Sequence, residues 1–129
     1  MSRARCFLAS LALLASSATP AATPGVQCHV SYGGETRTLR AQPVASPYAV
    51  PTVQIGSYFL FRIVLQTTPR DTAAAKIYVY ADHEDSPVII QHSTHAWPLS
   101  NRPQFGFSGL QRVYEPVRDG ELEYWCERI

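Results

Sequence analysis

Two cysteines, Cys28 and Cys126, bracket almost everything in this chain that can fold, and no other feature restricts the outcome as strongly. A third, Cys6, belongs to the opening stretch MSRARCFLASLALLASSATPAATPG, in which Arg3 and Arg5 precede an apolar run from Cys6 to Ala15 and then a tail of small residues. That is the layout of a secretory signal, with cleavage expected after Ala18, Ala21 or Ala22. The run is shorter than the roughly 20 apolar residues a permanent span needs. Residues 1–22 are therefore read as a cleaved leader and 23–129 as one domain. Cleavage removes Cys6, and in an oxidising compartment the remaining two pair. Closing so long a loop contributes on the order of 4–5 kcal/mol in the chain-entropy picture. The Cys-x-x-Cys spacing of redox sites is absent.

After the leader, short runs rich in Val, Ile, Tyr and Phe alternate with Gly and Pro punctuation, and only TPRDTAAAKI could form a turn or two of helix. This is an all-β pattern. VQCHVSY places Val26, Cys28, Val30 and Tyr32 on one face, and Gly33-Gly34 supply a two-residue turn into ETRTLRA. A proline-rich crossing, residues 41–56, belongs along an edge or across one end of the sheets, because Pro43, Pro47 and Pro51 cannot keep a regular ladder. SYFLFRIVLQ reads as a central strand covered on both sides. KIYVYAD and PVIIQHST form a hairpin around an acidic loop, with Ala81 facing Val88, Val79 facing Ile90 and Ile77 facing His92. GLQRVYEPV and ELEYWCERI form another around Asp119-Gly120. The expected architecture is a small antiparallel two-sheet sandwich, or a partly open barrel, of about six to seven strands with its ends stapled by the Cys28–Cys126 disulfide.

Without Arg3 and Arg5 the chain carries nine basic and ten acidic residues, a net charge of −1. The arginines are scattered singly rather than gathered in a stripe, which argues against a nucleic-acid partner. No second apolar run suggests a membrane span after cleavage. His83, His92 and His95 fall within thirteen positions. His83 lies in the turn, roughly 16 Å from His92 along the strand, whereas a metal ion needs its ligand nitrogens within about 2.1 Å. His92 and His95 point to opposite faces, and His92 is expected at the edge of the core with His95 on the surface. No metal and no cofactor are expected. An alternative is a periplasmic copper or zinc carrier that uses His29 and His92. A small hydrolase is a further alternative, although no nucleophile elbow is present. Glu115, Glu121, Glu123 and Glu127 alternate with arginines and read as a solvated face.

The reading is an exported, periplasmic or secreted, non-enzymatic binding or accessory module with a protein partner. Its candidate surface is the outer face of the last hairpin. A two-residue turn there pairs Tyr114 with Trp125, flanked by Arg112–Glu127 and Arg118–Glu121, a composition found at interface hot spots. If that hairpin is covered on both faces, Trp125 is core packing instead.

Overall fold

The computed structural model describes residues 15–19 and 23–129. The expected leader, residues 1–22, lies outside the described residues except for that short piece. Eight strands form: β1 Val26–Tyr32, β2 Glu35–Ala41, β3 Val53–Ile55, β4 Phe59–Gln66, β5 Ala74–Ala81, β6 Val88–Ala96, β7 Gln111–Tyr114 and β8 Glu121–Arg128. They make two antiparallel four-stranded sheets, the first in the order β2-β1-β8-β7 and the second β3-β4-β5-β6. The strand beyond the expected seven is β3, three residues salvaged from the proline-rich crossing as an edge.

Alternation dictates the core. Cys28 and Val30 of β1, Leu122 and Tyr124 of β8, Phe59, Phe61, Ile63 and Leu65 of β4, and Ile77 and Val79 of β5 are all buried and pack into one cluster between the sheets. Cys28 lies directly opposite Cys126, with Cα atoms 4.1 Å apart, and the two are bonded. The staple thus joins neighbouring strands of one sheet, at the close spacing of a non-hydrogen-bonded cross-strand pair. The β1–β2 turn is built by Gly33 and Gly34, both at positive φ. β4 is covered on both faces as expected, with Leu60 and Val64 buried on the outer side. Between them Arg62 donates to the carbonyls of Val50, at 3.0 Å, and Pro47, holding the 3-10 turn Pro47–Ala49 against that face.

Two hairpins depart from the expected register, each by a local insertion. Between β5 and β6 the pairs Ala81↔Val88 and Tyr80↔Ile89 are followed by Val79↔Gln91, so Ile90 is an extra residue. A bulge shifts everything beyond it by one, and a one-residue slip exchanges the faces. His92 therefore sits opposite Tyr78 on the outer face and Ser93 opposite Ile77. The expected places of His92 and His95 are reversed: His92 is exposed, stacked on Tyr78 at 4.4 Å, and His95 is half-buried against Phe107 at 5.0 Å. In the last hairpin β7 ends at Tyr114, and residues 115–120 form a longer loop, so Val113 pairs with Leu122 instead of Cys126. That shift is even. The inward set of Val113, Leu122, Tyr124 and Cys126 survives, while every outward partner changes.

The chain between β6 and β7 folds over β8. Phe107 and Ser108 both donate backbone N–H groups to the Cys126 carbonyl, and the Ser108 hydroxyl accepts the Cys126 N–H at 2.7 Å. Gly106 makes this approach feasible, since a Cβ there would lie 2.2 Å from the Cys126 oxygen.

Candidate binding cleft

The outer face of the first sheet carries most of the sequence-predicted surface residues, but with different partners. Arg112 bridges Glu121 at 2.9 Å and Glu123 at 3.2 Å, and Arg118 reaches back to Glu115 at 3.3 Å. The expected Arg112–Glu127 and Arg118–Glu121 pairs do not form, and Tyr114 stands opposite Glu121 rather than Trp125. The reason is the six-residue loop. Tyr114 is left 57 % exposed. Trp125 lies instead across from His29, stacked on its ring at 4.0 Å, with the edge of Phe105 on it at 6.1 Å. Half-buried in this way, it is neither full core nor an exposed anchor.

Glu127 accepts a 2.6 Å hydrogen bond from His29 Nε2. A carboxylate can only accept, so Nε2 bears the proton. Gln27 has its Oε1 fixed by the Arg40 Nε donor at 2.7 Å, which turns its amide NH2 toward His29 as a second donor at 3.4 Å. That contact is donor against donor, not a hydrogen bond. Glu115 corrects the reading of a solvated acidic face. It is only 2 % exposed, and its carboxylate accepts from Tyr32 Oη at 3.1 Å beside Arg118, anchoring the 115–120 loop. Burial, then the neighbouring Glu115, raises the Tyr32 hydroxyl pKa above its ordinary value. His29 and His92 occupy the outer faces of different sheets. No group of three or more metal-capable side chains gathers among the described residues.

The sandwich has two long sides where sheet edges meet. On one, β6 and β7 are joined: the Gln91 amide donates to Gln111 Oε1 at 3.4 Å and accepts from Tyr124 Oη at 2.6 Å, and His95 packs on Phe107. Exposed apolar side chains lie along this side, Val88, Ile89 and Ile90 on β6 together with Tyr114 at the end of β7. The bulge at Ile90 interrupts that edge, and Asp82, Glu84 and Asp85 precede it, both devices that discourage pairing with another chain.

On the other side β2 and β3 stand apart. Between them opens an apolar cavity of about 310 Å³, lined by Leu39, Ala41, Val44, Val50, Val53, Phe61 and Ile63 together with β2 backbone. Arg37 Nη1 spans the gap to the Gln54 carbonyl at 2.7 Å and separates it from a smaller cavity of about 170 Å³ bounded by Val30, Tyr32 and Ile55. The proline-rich crossing explains the opening. It pairs with β4 through Pro43 and Val44 at Leu65, arches outward over residues 45–52, and returns as β3 at Phe61. Asp82 N–H bonds the Tyr58 carbonyl, so even-numbered β4 residues turn their backbone groups toward β5. Odd ones turn toward the crossing. Ile63 consequently presents its N–H and C=O at the lip of the cavity, where no backbone group meets them among the described residues.

Sequence reasoning missed these cavity residues individually. Its one usable signal was the proline-rich crossing, which it placed on an edge without seeing that an arched edge uncovers the core behind it. Comparison with protein-family models, with curated proteins and with solved structures finds no match.

Proposed function

We propose that this is an exported, non-enzymatic binding module that holds a protein partner, and that the β2–β3 cleft is its ligand site. The observation that carries this reading is the cavity itself. It is large enough for two or three side chains, lined by groups that elsewhere in the fold are core, and flanked by unpaired strand edges. The exported location, periplasmic or secreted, is supported by the buried Cys28–Cys126 disulfide. No helix among the described residues is long and apolar enough to cross a membrane.

The test uses a naphthalene-sulfonate dye as an apolar probe of the native protein at neutral pH. Saturable enhancement of its fluorescence is expected. Val53→Phe, which fills the half-buried mouth, should weaken it about tenfold. Far-ultraviolet circular dichroism verifies that the variant keeps its sheets. Unchanged dye affinity in a folded Val53→Phe protein would place the ligand site elsewhere.

A further inference from the structure

We propose that the cleft receives an extended segment of the partner protein as an added strand along β2, its apolar side chains entering the cavity and its acidic ones turned outward. This rests on the reading of the cleft as a binding site and specifies how that site engages its partner. In a two-residue hairpin the residues flanking the turn form a hydrogen-bonded pair, here Tyr32 and Glu35. Odd-numbered β2 residues therefore bond to β1. Thr36, Thr38 and Arg40 turn their N–H and C=O groups the other way, into the cleft, while the Gln42 carbonyl beyond them is taken by Leu65 in the Pro43↔Leu65 bridge. The Val44 N–H, next in that even-numbered series, does point across to the second sheet, where it bonds the Leu65 carbonyl at 2.9 Å.

β2 is a seven-residue edge and the longer of the two that border the cleft, against three residues in β3. A strand laid along it at about 4.8 Å would alternate its side chains between the two faces. Those beside Leu39 and Ala41 point inward, over Phe61 and Ile63, where the cavity is. Those beside Thr38 and Arg40 stand on the outer face. β2 carries Arg37, which turns inward to the Gln54 carbonyl, and Arg40 on the outer face, with its single acidic residue, Glu35, at the turn end. Arg40 commits its Nε to Gln27, and a guanidinium has further donors at its Nη atoms. An outward carboxylate beside it is matched in charge and in hydrogen bonding.

The probe is a seven-residue peptide of alternating valine and glutamate, capped at both ends. It is compared with its valine–lysine counterpart and with two versions N-methylated on alternate residues in either phase. Binding is followed by calorimetry, and the Thr38 and Arg40 amides by NMR. The glutamate peptide should bind, shift both amides, and lose about tenfold in affinity as the lysine version, in one N-methylated phase, and on Val53→Phe. If both N-methylated peptides bind like the parent while Val53→Phe still abolishes binding, strand addition is wrong and the cleft reading stands. If Val53→Phe changes nothing, the cleft reading fails too. No binding of the glutamate peptide at millimolar concentration overturns the proposal. So does a dimer of the free protein that already protects the Thr38 amide, because that edge then belongs to a second copy.

Discussion

Where β6 meets β7, Gln91, Gln111 and Tyr124 form a hydrogen-bonded bridge across the edges of the two sheets; where β2 meets β3, Arg37 reaches across to the Gln54 carbonyl, and an apolar cavity remains. The contrast follows from what each side was given to close with. Long polar side chains and the Phe107 ring span the gap on one side. On the other, β2 and the crossing offer the short Ala41, Val44 and Ala49 over Phe61 and Ile63, and prolines stop the crossing from pairing continuously with β4. A sandwich closes an edge only where some side chain is long enough to reach and the backbone lies close enough to be reached.

The largest effect expected from any perturbation is common to both sides. Replacing Cys28 and Cys126 with alanine should lower the unfolding free energy, measured in denaturant, by on the order of 4–5 kcal/mol. Should the loss fall below about 1 kcal/mol, the ladder around the staple is holding the sheet without it.

The closed side should respond to pH through its own buried groups. Burial pushes the Tyr124 hydroxyl up to about 12 from 10.0, offset in part by the Ser93 hydroxyl. The unfolded chain then releases this proton near pH 10 while the folded one keeps it. The contribution is full below pH 10 and is lost as pH rises toward about 12, amounting to roughly 2–3 kcal/mol. On the acid side, burial and then Arg102 hold His95 below its ordinary 6.5. Below pH 6.5 the unfolded state takes up its proton first, so stability falls on acidification. Tyr124→Phe should shrink the alkaline limb to the part that the raised Tyr32 hydroxyl leaves, and His95→Gln should flatten the acid one. Limbs of unchanged size in those variants would assign the pH response to another region.

Adding volume distinguishes the two sides next. Ala75, fully buried in the core, has no room to grow, and Ala75→Leu should cost about 2 kcal/mol. Ala41→Leu points into the cavity and should be neutral or stabilising by up to about 1 kcal/mol, read from paired denaturant curves. Equal costs would mean that the open side closes in solution. A further modest effect lies outside both sides. Trp125→Ala removes a half-covered ring stacked on His29 and should cost about 1–2 kcal/mol, between the losses expected of a core ring and of a free one.

Periodicity made most of the fold legible. Alternation along VQCHVSY and FLFRIVLQ chose the inward faces of β1 and β4 before any tertiary contact, because successive side chains must point to opposite faces. The last hairpin kept its inward set even with its register displaced, since an even shift preserves the face. The histidines did not survive so well. A single extra residue, Ile90, exchanged His92 with His95, and nothing in the run VIIQHST marks it as the one to be skipped.

The candidate site was the least legible part. Side-chain composition drew attention to Arg112, Tyr114, Arg118, Glu121, Trp125 and Glu127, but a cleft is a relation between edges that lie far apart in sequence. The chain by itself determined the longer strands, the inward faces of β1, β4 and the last hairpin, and the Cys28–Cys126 pair, because these depend on spacing along one segment and on the number of thiols left to bond. Only the tertiary structure decided which edges meet. Whether a gap closes depends on how far Gln91 or Ala41 can reach toward a strand the sequence does not place, and that distance exists only once both sheets are packed.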